Sequence, residues 1–522
     1  MKRIYYNGDF ITLEDDNIEA ILVEDSLIKK VGLKEEVMKD KDENTEVIDL
    51  EGKTIMPAFI DAHSHFTSVA NNLLKVDLGE CINFEEIIER LRSFKNDNNI
   101  SDGEWILACN YDHNNLVEKN HPRKEVLDEA LPNNPVLIQH KSGHMGVINS
   151  LGLELLNINE NTQDIVGGTI ERKEGKVTGY LEENAFVEYQ MKVPMPSFND
   201  LLEAYKKTQE IYLKNGITTI QEGMTYPEMI PLYKQLLENN LLKLDLVAYI
   251  DINSKEAFLE KLPQHMKKYY KNLKIGGYKI FLDGSPQGRT AWMREPYKNS
   301  DGYCGYGTMS DEEVGKAIKK AYEENMQILA HCNGDRAAEQ YIQAIDKYKN
   351  SNEIRPVMIH AQLLGLDQVK FLKKLNIIPS FFIAHTYYWG DTHIENFGYV
   401  RAKNISPVGS ALKENVIYTF HQDSPVILPN IFETIWCAVK RQTKNGVELN
   451  NEEKISVLEA IKGVTINAAY QYFEEDKKGS IKEGKLANFI IVDKNPLKVE
   501  IDEIKNIKVL ETIKEGETLF KM

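Results

Sequence analysis

The sequence has few cysteines, no long apolar run and no excess of basic residues. Its five cysteines are widely spaced and form no CxxC pair, so neither a disulfide framework nor a thiolate zinc site is expected. No run approaches the roughly 18 apolar residues of a membrane span. The basic N-terminus lacks the apolar stretch of a signal peptide. We therefore expect a cytoplasmic protein that is not bound to a membrane.

The balance of charge is acidic. The chain has 522 residues, with 63 Lys and Arg against 80 Asp and Glu, and a formal charge of −17. Such a surface repels phosphate, so nucleic acids and anionic membranes are disfavoured as partners. We expect a small-molecule substrate instead. A homodimer is the expected assembly only because dimers are the commonest closed assemblies.

The order of apolar runs predicts an α/β fold with a composite domain. Residues 1–55 and 475–522 consist of short strand-like runs separated by turns, and they are predicted to pair into one small β-sandwich. Between them, in residues 56–474, strand-like and helical stretches alternate about eight times. This pattern favours a TIM-like (β/α)8 barrel. The stretch from about 80 to 195 is too long for one βα unit, and we expect it to be an insertion over the barrel mouth.

Ligand-type residues follow several of these apolar runs. His63 and His65 come directly after the first central run, and residues i and i+2 of an extended chain point the same way. Further candidates lie at or near the ends of later runs: Lys279, His331, His360 and Asp423. A single histidine in such a position is usually structural. Several ligand types at different strand ends, where barrel active sites are built, predict a metal site.

The motifs that carry these residues resemble the amidohydrolase superfamily, and within it amidohydrolase family 3, which includes N-substituted formamide deformylases. The matching segments span essentially the whole chain. They are MPAFIDAHSHF, PVLIQHKSGHMGVINS, GGTIERKEGKVTGYLEENA, YKIFLDGSPQGRTAWM, AHCNGDRAAEQYIQAI, HQDSPV and KGSIKEGKLANFIIVD. The most specific are DGSPQGRTA and HCNGD.

The resemblance implies a role for each ligand. His63 and His65 would bind one divalent cation and His331 and His360 a second, with zinc favoured and one or two ions per chain. Lys279, as a carboxylated lysine, would bridge them. Asp423 would complete the coordination of the first metal and serve as general base for a metal-activated water. The alternatives are that Lys279 is a surface or salt-bridging lysine, or that Glu222 is the anionic bridge.

Other residues are candidates for contact with substrate. By resemblance, His144 would face the pocket and polarise the scissile group, although a loop histidine is an equal alternative. Arg289 could hold a carboxylate or an oxyanion. An apolar pocket wall is assigned to four aromatic residues, although aromatics more often belong to the core: Trp105, Tyr111, Tyr297 and Trp389. His385 and His421 are expected to support the ligands from behind.

The resulting hypothesis is a metal-dependent hydrolase that cleaves a non-peptide C–N bond of an amide. One alternative is a mononuclear enzyme that acts as a deaminase or cyclic-amide hydrolase. Another is a non-catalytic binding or regulatory barrel, which the complete ligand set disfavours. No organic cofactor is predicted. The substrate itself is not fixed by the sequence, because one fold hosts many chemistries.

Overall fold

The computed structural model describes residues 2–14, 17–141, 145–165, 167–194 and 198–522. The chain divides into two units. The first consists of Met1–Phe66 with Thr208–Met522, and the second of Thr67–Lys207. Within the described ranges, no helix is both long enough and apolar enough to cross a membrane.

An eight-stranded parallel sheet is the largest sheet of the first unit, and its strands pair in chain order. Its strands are β1 (Phe59–Ile60), β2 (Ile217–Thr225), β3 (Asp245–Asp251), β4 (Leu273–Phe281), β5 (Gln327–Cys332), β6 (Val357–His360), β7 (Ile378–Phe381) and β8 (Thr419–Phe420). Nearly every residue of these strands is buried. Continuous burial is typical of a parallel sheet covered on both faces.

Helices connect these strands. Those before or between strands are Phe198–Lys214, Ile230–Glu238, Lys255–Lys261, Asp311–Glu323, Asp335–Tyr348, Val369–Leu375, His385–Tyr388, Gly390–Phe397, Tyr399–Ala402 and Val408–Lys413. Ile431–Lys440, Val457–Gly463 and Ile466–Gln471 follow β8. The helix Asp311–Glu323 shows why they form. A capping box of Ser310 and Glu313 starts it, and its buried residues recur at helical spacing.

The two outer strands of this sheet approach each other at their carboxyl ends. The backbone N–H of His65, after β1, donates to the carbonyl of Ser424, after β8, at 2.8 Å. The N–H of Asp423 donates to the carbonyl of His63 at 3.3 Å. The sheet therefore curls, and the two segments that carry the predicted first-metal ligands are held together by backbone hydrogen bonds.

The ends of the chain form two further sheets. One has the order Leu27–Gly32, Ala20–Glu24, Lys2–Tyr6 and Thr45–Asp49. The other has the order Asp9–Phe10, Thr54–Pro57, Phe489–Val492, Val509–Lys514 and Glu517–Lys521. A single apolar cluster contains residues of both sheets, among them Tyr5, Ile21, Ile55 and Phe489. The N- and C-terminal segments thus share a sheet and a core.

The apolar run of residues 54–60 contributes one strand to each of two sheets. Thr54–Pro57 pairs antiparallel with Phe489–Val492, whereas Phe59–Ile60 is β1 of the parallel sheet. The change of partner occurs at Ala58, whose N–H donates to Asn488, while the next N–H, of Phe59, donates to Gly216. This run therefore links the terminal sheet directly to the strand that carries the HxH segment.

The second unit is built on a six-stranded mixed sheet. Its order is Gly168–Lys173, Lys176–Glu183, Met145–Ile148, Val136–His140, Ile106–Tyr111 and Val76–Asp77. Its helices include Phe84–Asp97, Lys124–Ala130, Ser150–Leu155 and Asn184–Gln190. Its strands Ile106–Tyr111 and Val136–His140 are parallel neighbours, with Tyr111 opposite His140.

Candidate metal centre

The predicted ligands lie at the carboxyl-end side of the parallel sheet. His63 and His65 follow β1, Lys279 lies near the end of β4, and His331 lies near the end of β5. His360 is the last residue of β6, and Asp423 follows β8. Parallel strands bring their carboxyl ends to one edge, so residues far apart in the chain meet there.

His63, His65 and Asp423 form a cluster with the spacing of metal ligands. The Nε2 atoms of His63 and His65 each lie 3.4 Å from Asp423 Oδ1, and the ligand atoms of all three lie within 4.8 Å of one another. Tetrahedral ligands with bonds of about 2.0–2.1 Å would be separated by about 3.3 Å. These three side chains therefore fit a shared cation.

His63 is oriented by a side chain that the sequence analysis did not identify. Its Nδ1 lies 2.6 Å from Gln221 Oε1, so Nδ1–H donates and the Nε2 lone pair is left for a cation. Gln221 is itself fixed, since its amide donates to the carbonyl of Ala62 at 2.7 Å and to the hydroxyl of Tyr472 at 2.9 Å. In the sequence, this role could have been suspected from the fact that Gln221 is a polar residue within the apolar run that forms the buried strand β2.

His331 and His360 form a second pair. Nδ1 of His331 lies 3.1 Å from Nε2 of His360, close to the separation of two ligands of one cation. The other ring nitrogen of each histidine contacts a neighbouring group. His331 Nε2 lies 3.3 Å from the carbonyl of Gly284, and His360 Nδ1 lies 3.2 Å from His421 Nε2. His421 Nδ1 in turn contacts Ser380 Oγ at 2.8 Å. His421 thus has the supporting position predicted for it.

Lys279 is a buried amine in this cluster. Its side chain is 1% exposed, and among the described residues its Nζ has no hydrogen-bond partner. Burial lowers the pKa of Lys279 to about 7, against the opposing effect of the Asp423 charge. A buried and unpaired ammonium is costly. The residue thus fits a chemistry that turns the amine into an anionic ligand.

The lowered pKa values of His63, His331 and His360 suit cation binding. Burial lowers the pKa of His63 and of His360 well below the ordinary value, and nearby positive groups add to the effect. Burial likewise lowers the pKa of His331 to about 4. For His65, burial lowers the pKa, but the contact with Asp423 outweighs it, so the net shift is upward. Neutral imidazoles offer the lone pairs that a metal requires.

Asp423 is held as a carboxylate. Burial raises the pKa of Asp423, but the contact with His65 and the charges of His65, His421 and Lys279 lower it by more. The net shift is therefore downward.

The backbone of two candidate ligands has a rare conformation. The φ of Asp423 is +53°, and that of His360 is +72°. Non-glycine residues adopt this region rarely, at a cost of about 1–3 kcal/mol, mostly at functional sites.

Asp283 joins the two most specific motifs. Its buried carboxylate accepts backbone N–H groups from Asn333 at 2.9 Å, Gly334 at 2.7 Å and Trp292 at 3.0 Å. Burial raises the pKa of Asp283 to about 7, although these three hydrogen bonds favour the charged form. The DGSPQGRTA segment is thereby tied to the HCNGD segment beside His331. The sequence analysis did not assign this role to Asp283.

Arg289, Trp389 and the expected supporting residue His385 belong to the first unit. In the first unit, Trp389 packs on His385 with ring centroids 4.5 Å apart, and Phe382 lies between this pair and His421. Arg289 already donates to Asn396 Oδ1 at 2.8 Å and faces the carbonyl of Lys298 at 3.3 Å. His385 Nδ1 contacts His393 Nε2 at 3.1 Å, so His385 pairs with another histidine.

Two of the proposed pocket aromatics belong to the second unit. Trp105 packs in an apolar cluster with residues such as Leu137 and Phe186. Tyr111 is buried and its hydroxyl contacts His121 Nδ1 at 3.0 Å. His144 lies outside the described residues. Glu222, the rival bridge, lies with its Oε1 3.9 Å from His65 Nδ1.

A cavity of about 850 Å³ lies at the opposite end of the parallel strands and does not include these ligands. It is lined by Asp245, Lys274, Gln327, Glu474 and Lys478, among others. These groups form buried ion pairs, such as Lys478 with Asp245 at 2.7 Å. Active sites of parallel α/β folds are built at the carboxyl ends of the strands, so we assign these ion pairs at the amino ends to stability.

Comparisons with known proteins show the family to which the chain belongs. A model of the Amidohydrolase family matches residues 46–520. A relative from Bacillus subtilis (strain 168), named amidohydrolase YtcJ, is 26% identical over 539 residues and covers 100% of both chains. The N-substituted formamide deformylase of Arthrobacter pascens is 27% identical over 525 residues, covering 95% of this chain and 94% of its own. The crystal structure of an uncharacterized metal-dependent hydrolase from Pyrococcus furiosus matches with a TM-score of 0.77 and 25% identity, covering 95% of this chain and 100% of its own.

Proposed function

The chain belongs to the Amidohydrolase family, and from this we propose that it is a metal-dependent hydrolase that cleaves a non-peptide C–N bond of an amide. The observation that carries the proposal is the convergence of His63, His65 and Asp423 on one point, with the His331–His360 pair in the same cluster. The name of the Arthrobacter pascens relative supports N-substituted formamides as the first substrates to test.

We propose that the curled parallel sheet is a (β/α)8 barrel and that the two terminal sheets form a composite β-sandwich. The backbone hydrogen bonds between the segments after β1 and β8 support closure of the barrel. The apolar cluster shared by both terminal sheets supports the sandwich.

The residues would divide between two cation positions. His63, His65 and Asp423 would hold one and His331 and His360 the other, with zinc favoured by the His and carboxylate donors. A bound divalent cation lowers the pKa of a water molecule and polarises a carbonyl oxygen. The supporting contacts of Gln221 and His421 keep the ligating nitrogens turned toward these positions.

Lys279 would supply the bridge as a carbamate. With a pKa of about 7, much of its amine is neutral at neutral pH. The Nζ lone pair of the neutral amine forms a bond to the carbon of CO₂, and one C=O electron pair moves to oxygen. The nitrogen, now positively charged, then loses one of its protons to water. The product is an anion with two oxygens, which removes the cost of an unpaired buried ammonium.

Asp423 would move the proton of the reaction. Its lowered pKa keeps it in the accepting form at neutral pH, and its Oδ1 makes no hydrogen bond within the described part of the chain. The carboxylate takes a proton from the attacking water and then delivers it to the nitrogen of the leaving amine. Collapse of the tetrahedral carbon breaks the C–N bond and releases a carboxylic acid and an amine.

The test is a panel of N-substituted formamides and N-acyl amines with zinc-loaded full-length protein. Amine release is measured, and carboxylate is quantified in parallel. Release of both products in equal amounts supports the proposal. Release of ammonia from an amino-heterocycle, without amide turnover, would favour the mononuclear deaminase, and no metal-dependent turnover of any compound would favour a binding protein.

A further inference from the structure

A second group of metal-ligand residues lies in the second unit. Asp112 and His113 come directly after the strand Ile106–Tyr111, and His140 ends the strand Val136–His140. Because these strands are parallel neighbours with Tyr111 opposite His140, their carboxyl ends lie on one edge of the sheet. The topology therefore brings two imidazoles and one carboxylate together, independently of the cluster on the parallel sheet.

The distances in this group fit a shared cation. His113 Nδ1 lies 3.2 Å from His140 Nε2. Asp112 Oδ1 lies 3.6 Å from His140 Nε2 and 4.0 Å from His113 Nδ1, and the three ligand atoms lie within 4.8 Å of one another. Around a tetrahedral zinc ion the ligand atoms would be about 3.3 Å apart. Small rotations of the side chains would bring them to this spacing.

Ordinary hydrogen bonding explains only part of this arrangement. The contact between His113 and His140 is short enough for a hydrogen bond, but Asp112 Oδ1 is farther from both nitrogens than a hydrogen bond allows. The carboxylate instead makes longer ion-pair contacts with both rings. A cation between the three atoms would give them one common partner.

Neighbouring groups hold the three side chains in place. Asp112 Oδ1 accepts the backbone N–H of Asn114 at 2.9 Å and its amide Nδ2 at 3.1 Å, and a cation would replace the second of these bonds. The ring of His121 stacks on His113 with centroids 4.0 Å apart. His140 packs edge-on against Tyr111 at 5.1 Å. Such supporting contacts fix the orientation of metal-binding imidazoles.

We propose that Asp112, His113 and His140 form a binding site for a divalent transition-metal cation of the zinc type, made of residues other than those of the cation positions on the parallel sheet. Two imidazoles and a carboxylate favour zinc, iron or a similar metal over calcium or magnesium, which prefer all-oxygen sites. Three protein ligands leave at least one coordination position open to water or another small ligand. This site does not depend on the proposed hydrolytic function.

The experiment uses the full-length chain carrying His63→Ala and His331→Ala, which removes a ligand from each position on the parallel sheet. Zn²⁺ is titrated against a chromogenic chelator. The proposal predicts one Zn²⁺ bound per chain in this background. It also predicts that adding Asp112→Asn and His113→Gln weakens this binding at least 100-fold.

His265→Gln in the same background is the matched control. It removes a histidine that belongs to neither group of candidate ligands and whose Nδ1 contacts the carbonyl of Leu273 at 3.0 Å, and it should change the affinity less than tenfold. Circular dichroism and the melting temperature establish that each variant is folded, and the isosteric Asp112→Asn alone provides a milder variant. Absence of Zn²⁺ binding in the folded background would overturn the proposal, as would binding that survives Asp112→Asn with His113→Gln.

Discussion

Gly223 gives a direct test of the site, because its surroundings leave no space for a side chain. A Cβ atom on Gly223 would lie 2.5 Å from Cε1 and 2.9 Å from Nδ1 of His63, and 3.0 Å from the carbonyl of Ser64. Ordinary contacts of this kind are about 3.5–4.0 Å. Gly223→Ala therefore requires the His63 ring to move by about 1 Å.

Such a movement breaks the alignment on which metal binding depends. The ring is held by the 2.6 Å contact of its Nδ1 with Gln221, and its Nε2 lies 3.4 Å from Asp423. Loss of a supporting contact of a ligating histidine typically lowers metal affinity 10- to 100-fold. This corresponds to about 1.4–2.7 kcal/mol. We expect Gly223→Ala to lower zinc affinity, and amide hydrolysis with it, by this factor.

The measurement is a competition titration of zinc with a chelator on folded, full-length protein. Gly288→Ala is the matched control, since the closest atom to its Cβ would be the Ser285 hydroxyl oxygen at 2.9 Å, which can rotate away. The control should bind zinc like the wild type. Unchanged zinc affinity in Gly223→Ala would refute the assignment of His63 as a ligand held by close packing.

Three further outcomes are expected. Asp423→Asn should lower kcat about 10²–10⁴-fold, because the amide cannot accept the proton; kcat within threefold of wild type would exclude the proton-transfer role. Asp245→Ala should destabilise the fold by about 1.5–3 kcal/mol in urea unfolding, since it removes a charged partner of the buried Lys478 and Lys514 amines, which keep only Glu474 and Glu515. The same change at the more exposed Asp9, paired with a surface lysine, should cost at most about 1 kcal/mol. These lysines lower the pKa of Asp245 despite its burial. The carboxylate therefore stabilises the fold above about pH 4, and this stabilisation is lost as the pH falls through the folded pKa. A difference in unfolding free energy between the wild type and Asp245→Ala that stays constant as the pH falls would contradict this.

Much of the fold could be predicted because the strands have an unambiguous pattern. The runs around β2 to β7 are short, apolar and separated by helical periodicity, and each became a strand of the parallel sheet. The division of residues 54–60 between two sheets could not be predicted, because it depends on which partner each backbone group meets. The division at Ala58 has no counterpart in the hydrophobic pattern.

The candidate ligands could be predicted because each lies at or near the end of an apolar run and has a side chain that can ligate a metal, directly or, for Lys279, after carboxylation. The sequence analysis missed residues that do not bind a cation themselves but orient a ligand or connect two loops. Gln221 and Asp283 are ordinary polar residues in sequence, and only the three-dimensional contacts reveal that one orients His63 and the other joins two loops. His113 and His140 were missed since 26 residues separate them in the chain and strand pairing alone brings them together.

The most direct test of the account is the metal content of the full-length protein, measured by elemental mass spectrometry after saturation with zinc and removal of excess. The wild type is compared with the His63→Ala, His331→Ala double variant, and folding of both is verified by circular dichroism. The account predicts that the double variant contains two zinc ions fewer per chain. Equal zinc content in the two folded proteins would contradict it.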